Sequence, residues 1–288
     1  MDENKMNINW FPGHMAKAIR QIKERINLVD MIIEICDARA PKASVNPIVQ
    51  ELISNKFYLK LLTKMDLADP NYLKEYEDYY KANNINYLFV NLNNNNCLKP
   101  IIQMIEQVSK PLALKDIKRG LKPRNVRIMV LGIPNVGKST FINLLAKKKS
   151  APVGNIPGFT KAIKMVHCDG FDLLDTPGIL WPNLSENHSG EKLALIGCIK
   201  EDILPIVDLI DYGLNYLNNN YSDLLISKYG IKYQNTDQYL QDFAKAKGHL
   251  LKDGKYDIER SASFLLNDIK NGRIGKIIIE RLEDWFHG

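Results

Sequence analysis

Four short stretches of the chain carry residue types and spacings that can hold a nucleotide. Gly132-Ile-Pro-Asn-Val-Gly137-Lys138-Ser139 fits the pattern G-x4-G-K-S. In that pattern backbone N–H groups at a helix start cradle phosphates, the lysine neutralises the outer two, and the serine hydroxyl coordinates Mg²⁺. Phosphate contacts are expected from Val136, Gly137, Lys138, Ser139 and Thr140. Asp175-Thr-Pro-Gly178 closes the apolar run FDLLD, which suits a carboxylate that holds Mg²⁺ through water and a Gly178 N–H that meets the terminal phosphate. The same four residues also fit a plain turn after a strand. Pro157-Gly158-Phe159-Thr160 lies between these two motifs, where a switch loop presents a threonine hydroxyl to the metal; a surface turn is the alternative. Thr63-Lys64-Met65-Asp66 offers a carboxylate that can accept from both the ring N–H and the exocyclic amine of guanine, a donor pair adenine lacks, with the Lys64 stem packed over the base. Asp66 could instead cap the helix that follows. A companion loop giving a backbone N–H to the guanine carbonyl usually contains Ser-Ala; here the strand YLFV runs into Asn91 and Leu92, which take that place.

These residues need a scaffold, and the chain supplies one. Short apolar segments rich in β-branched residues alternate with amphipathic ones over the first two thirds, the pattern of a parallel sheet flanked by helices. Strands are expected near 29–36, 58–63, 86–91, 126–132, 163–168 and 171–175, and helices near 14–27, 45–54, 70–82, 98–108 and 138–147. Residues 109–125, with two prolines and many basic residues, read as a long connection. After residue 183 the pattern becomes helical, near 190–200, 203–218, 236–247 and 258–270. The expectation is an α/β domain over 1–183 followed by a smaller all-helical domain over 184–288.

Motif order is the anomaly. The guanine loop comes first, then the base-carbonyl loop, the phosphate loop, the first switch and the second. That is the usual order of a GTP-binding domain cut after the second switch and rejoined elsewhere, so the fold is expected to be a circularly permuted P-loop GTPase domain. Residues 109–125 then join the old last helix to the old first strand. The helix that would follow the second switch becomes the first of the chain, at 14–27, and its N-terminus should lie close to DTPGIL.

The 288 residues are 45% hydrophobic and 25% charged, ordinary for a globular protein. No apolar run reaches the roughly 20 residues of a spanning helix, and the first ten residues lack the pattern of a signal peptide. A cytoplasmic protein with no membrane partner is expected. Cys36, Cys97, Cys168 and Cys198 are scattered without zinc or redox spacing. A net charge of +6 permits a polyanionic partner. Lys245, Lys247, His249, Lys252, Lys255 and Arg260 fall within sixteen positions, followed by Lys270, Arg273 and Lys276, which fits either a solvated face or an RNA contact.

WFPGHM at 10–15, DARAP at 37–41, TKMD, GIPNVGKST, PGFT and DTPGILWP resemble, in sequence and order, the YlqF/RbgA family of circularly permuted GTPases. The resemblance runs over nearly all of 8–183. It implies a GTP hydrolase with GTP/GDP and Mg²⁺ as ligands, stimulated by the large ribosomal subunit whose assembly it assists, with rRNA and ribosomal proteins as partners and a helical RNA-binding domain. A monomer is expected. Asn135 resembles the asparagine that helps bind K⁺ beside the phosphates in potassium-activated GTPases, with a turn-forming role as the alternative. Ile179 occupies the place where many GTPases carry a water-orienting glutamine, and isoleucine cannot do that work. His14 is the candidate replacement, as imidazole can orient water near neutral pH; the other reading is a helix cap or an ordinary backbone hydrogen bond. Lys138, Thr160 and Gly178 complete the catalytic set. Two rivals stay open: a GTP-dependent RNA-binding module with negligible turnover, which Ile179 favours, and an ATP-using P-loop enzyme, which Asp66 opposes.

Overall fold

The computed structural model describes residues 13–53, 56–147, 165–181, 184, 186–200 and 204–285, with only the backbone at 13, 14 and 147. Chain order gives α1 (Gly13–Arg25), β1 (Met31–Asp37), α2 (Pro47–Leu52), β2 (Phe57–Thr63), α3 (Pro70–Ala82), β3 (Tyr87–Phe89), α4 (Leu98–Lys118) and β4 (Val126–Leu131). Then come α5 (Lys138–Lys147), β5 (Met165–His167), β6 (Phe171–Leu174), α6 (Ser189–Leu195), α7 (Ile206–Tyr229), α8 (Thr236–Lys247) and α9 (Ile258–Lys270).

The strands form one six-stranded sheet in the order β3-β2-β1-β4-β6-β5. All neighbours are parallel except the β5–β6 pair. Every residue of β1 is buried, as expected of a central strand covered on both faces. Its period-2 alternation divides the core: Met31, Ile33 and Ile35 join the apolar cluster that also holds α4 and α5 residues such as Ile101 and Phe141. Ile32 packs instead with Ala18 and Ile22 of α1 and Val49 of α2, and Cys36 with Tyr76 and Tyr80 of α3. Parallel register brings Asp37 beside Thr63 at the C-terminal edge. The same edge carries Gly132 after β4 and Asp175 after β6. The chain departs to opposite sides of the sheet at β1 and β4, so this edge is also the topological switch point where α/β sheets bind ligands.

Three expected helices differ in extent: α6 stops at Leu195, short of 200, α7 runs to Tyr229, past 218, and α4 differs most in character. Residues 109–125 are not a loop over most of their length, because α4 continues to Lys118 with Pro111 inside it. Ile101, Ile105, Val108 and Leu112 keep helical spacing across the proline and pack on the core, and this burial outweighs the lost backbone donor at Pro111. Only 119–125 connect to β4. Residues 163 and 164 of the expected fifth strand lie outside the described residues, and 165–167 are strand as expected.

The helical part packs α7 against α6, α8 and α9, and α6 against α9. Its core residues, including Leu195, Leu214, Phe243 and Leu265, belong to the same cluster as Ile33 and Phe141. From α9 the chain returns over the sheet's C-terminal edge, where the Ile279 N–H donates to Arg39 O at 2.9 Å and the Tyr76 hydroxyl donates to Glu280 O at 3.0 Å. The Glu280 carboxylate, buried, accepts from the N–H groups of Lys42 and Ala43. Burial pushes its pKa above the usual carboxylate value, despite Lys192 and those two donors. Among the described residues no helix is long and apolar enough to cross a membrane.

Candidate nucleotide site

The phosphate loop is built as its glycines require. Gly132 has φ of +148°, and a Cβ there would lie 2.4 Å from Ile35 O, so no other residue fits between β1 and the loop. Asn135 (φ 57°) and Gly137 (φ 101°) turn the chain into α5. Lys138 is buried and donates from Nζ to Ile133 O at 2.5 Å. Burial lowers its pKa to about 8, partly opposed by the charge of Asp175. Ser139 and Thr140, in the first turn of α5, are exposed. Asn135 donates from Nδ2 to Cys198 O at 3.5 Å, a link from the loop to the segment after α6.

The guanine loop meets the phosphate loop directly. The Thr63 hydroxyl donates to Val136 O at 2.6 Å and lies 3.0 Å from Cys36 O. Asp69, not Asp66, caps α3, accepting from the Asn71 N–H at 2.9 Å, which removes the capping alternative for Asp66. Asp66 itself is half-buried. The Met65 N–H donates to Val90 O at 3.3 Å, so the third loop is also adjacent. There Leu92 is buried, with Gly137 packed against it, while the Asn91 side chain accepts from the Asn93 N–H at 2.9 Å in a local turn.

The DTPG segment closes the site's other side. The Thr176 hydroxyl donates to Val130 O at 2.5 Å, and a Cβ on Gly178 would lie 2.9 Å from Lys138 Nζ and 3.1 Å from Pro134. Any side chain at 178 would therefore occupy the space between the lysine and the loop. Ile179 is buried, its N–H donating to Gly132 O at 3.3 Å and its carbonyl accepting from Asn46 Nδ2 at 3.0 Å. Its side chain is core, not site. The Leu180 N–H lies 3.4 Å from Met15 Sδ, which sets the start of α1 beside this segment as permutation requires. The side chain of His14, and Thr160 with the whole PGFT stretch, lie outside the described residues.

A family described as a 50S ribosome-binding GTPase matches residues 127–248, starting within the phosphate-loop strand. Ribosome biogenesis GTPase A from Priestia megaterium is 39% identical over 277 residues, covering 94% of this chain and 95% of its own. The protein of the same name from Bacillus pumilus is 36% identical over 281 residues, covering 96% and 100%. The chain belongs to the ribosome biogenesis GTPase A family. The crystal structure of GNP-bound YlqF from T. maritima is similar with a TM-score of 0.64 and 27% identity, covering 92% of this chain and 98% of that one. The chain is thus a circularly permuted GTPase, as its motif order indicates, and the ATP-using alternative falls away.

Within this ribosome biogenesis GTPase A scaffold, two residues that the motif reading left without a role stand at the centre of the edge. Asp37 and Arg39 of DARAP are fully buried and joined at 3.0 and 2.8 Å. Burial alone would raise the Asp37 pKa, but the Arg39 guanidinium and the Lys64 ammonium, 2.8 Å away, outweigh it and hold the carboxyl well below the usual range. The signal for them in the sequence is an acid and a base at the end of a strand that is apolar apart from Glu34. One residue of the basic run is corrected: His249 is buried between Phe243 and Phe264, with Nδ1 3.0 Å from the Ser261 hydroxyl, so it is no part of a basic face. Its spacing matched the lysines, but its ring fills the α8–α9 core. Lys245, Lys247, Lys252, Lys255, Arg260, Arg273 and Lys276 are exposed.

Proposed function

We propose that the chain binds GTP with Mg²⁺ at this edge, docks in that state on the immature large ribosomal subunit to assist a late assembly step, and leaves after hydrolysis. The observation that carries the reading is the hydrogen bond from Thr63 to Val136 O at 2.6 Å, which makes the base loop and phosphate loop one site although 73 residues separate them in reversed order. Asp66 and Lys64 read the guanine, with backbone help from Asn91 and Leu92. Val136, Gly137, Lys138, Ser139 and Thr140 hold the phosphates. Ser139, Asp175 and Thr160 hold Mg²⁺; hydroxyl and carboxylate oxygens suit a hard cation. When bound, Mg²⁺ neutralises charge on the phosphates. Lys138, whose Nζ would lie 2.9 Å from a Cβ on Gly178, adds its own charge there, and the Gly178 N–H is proposed to meet the terminal phosphate. Because the Ile179 side chain is buried, another group must orient water, and His14 is the residue proposed. Asn135 is proposed as a K⁺ ligand.

The partner reading draws on the names of the relatives and on the exposed bases of α8–α9. Residues 1–183 act as the nucleotide domain and 184–288 as the rRNA-binding domain of a cytoplasmic monomer. The test is sedimentation with large ribosomal subunits in GTP, GDP and a non-hydrolysable GTP analogue. Association is expected with the analogue and not with GDP; equal association in all three removes the switch.

A further inference from the structure

The guanine loop is held from two sides by the C-terminal part of the chain. Lys64 sits at φ 58°, a left-handed conformation that is costly for a lysine and persists only where its surroundings enforce it. Its ammonium is fixed on Asp37 at 2.8 Å. Asp37 is fixed in turn by Arg39, which spends its remaining donors on the helical part: Nη1 donates to Lys270 O at 2.8 Å and Nη2 to Ile196 O at 2.9 Å. Two residues past Asp66's neighbour Met65, the other grip begins. The Ile277 N–H donates to Leu67 O at 3.1 Å, and Gly272 approaches so closely that a Cβ on it would lie 2.9 Å from Leu67 Cδ2. Asp66 therefore stands between one residue tied to α9 through Arg39 and another tied directly to the strap that follows α9.

We infer that Asp37, Arg39 and the strap around Gly272–Ile277 are positioning residues for guanine recognition, so that Asp66 meets the base only while the helical part is seated. This rests on the reading of Asp66 as the guanine acceptor. Its consequence is a direct route from partner to base. Anything that shifts the helical part changes guanine affinity, and the base changes affinity for that partner by the same factor. The switch segments are a separate route, at the phosphates. The fork of Arg39 matters as much as its charge, since three acceptors in different directions need a planar, multi-donor group.

The test is the ratio of GDP to IDP affinity, which differ only in the exocyclic amine that Asp66 accepts. Unfolded molecules bind neither, so a loss of folded protein leaves the ratio unchanged. The wild type should prefer GDP by about tenfold or more, the size of a charge-assisted hydrogen bond. Gly272→Ala pushes on Leu67 from the strap, and Arg39→Lys keeps the charge while losing the fork. Each should shrink the preference by roughly fivefold or more, because the bond to the amine is strongly geometry-dependent. Asp66→Asn is measured beside them. If that change leaves the preference intact, the guanine reading itself fails. If it collapses the preference while every folded variant at Gly272 and Arg39 keeps the wild-type ratio, the positioning role is overturned.

Discussion

Lys138 carries the clearest titration signature of the site. Burial brings its pKa to about 8, so near pH 8.5 the free protein holds it largely neutral. Phosphates placed beside it favour the charged form. Nucleotide binding should therefore take up a proton at that pH, and affinity should fall as pH rises through 8 and beyond. Calorimetry of GDP binding in buffers of different ionisation enthalpy measures this directly; no uptake at pH 8.5 would mean that Lys138 does not meet the phosphates. Asp66 carries the base. Asp66→Asn replaces an acceptor by a donor, which should weaken GDP by about tenfold to a hundredfold and strengthen XDP, since xanthine offers a carbonyl where guanine has its amine. Unchanged GDP affinity would contradict the assignment. Both residues were legible in the sequence because their chemistry is local: a lysine after a glycine-rich turn, an acid two places after another lysine. Asp37 and Arg39 were not legible in role, because their partners Lys64, Ile196 and Lys270 lie far along the chain.

At the scale of elements, α4 shows where local signals give way to packing. Pro111 and Pro123 suggest a connection, yet the stripe Ile101, Ile105, Val108 and Leu112 carries the helix seven residues past Pro111 to Lys118. Pro111 is exposed and lacks the donor that a helix interior uses. Pro111→Ala should restore that bond and raise the unfolding free energy by about 1–3 kcal/mol, measured by denaturant titration; a fall in stability would show that a bend at Pro111 is needed for the packing of Leu112. Most other elements were legible because period and caps agree. Asp69, Asn235 and Asp257 begin α3, α8 and α9 with side-chain bonds to the N–H groups of Asn71, Gln238 and Arg260. The kink of α7 at Tyr221 (φ −144°) leaves no such mark in the sequence, where the helix expected over 203–218 stops short of it, and α7 continues to Tyr229.

Across the whole molecule, permutation joins the second switch to the helical part, and the return strap joins that part to the base loop. Its partner should be gripped by the exposed bases. Lys247 stands 5.8 Å from the rings of Tyr229, Phe243 and Phe264, so replacing it would disturb packing. Lys245→Glu with Lys252→Glu avoids those rings. That pair should weaken subunit binding and lower the slope of log affinity against log salt by about 2, leaving GDP affinity unchanged; an unaltered salt response would move the RNA contact to another face, such as the connection carrying Lys122 and Arg124. The order of motifs made the permuted fold legible, whereas the closure of the strap after α9 onto the sheet edge depends on contacts such as Ile277 with Leu67 that no spacing announces. The most direct test of a guanine-read switch that governs docking exchanges the base. Sedimentation of the wild type and of Asp66→Asn with large ribosomal subunits is measured with non-hydrolysable analogues of GTP and of xanthosine triphosphate. The account predicts that the wild type associates with the guanosine analogue and the variant with the xanthosine analogue. Equal association of the variant with both, or with neither while it binds the xanthosine analogue, would contradict it.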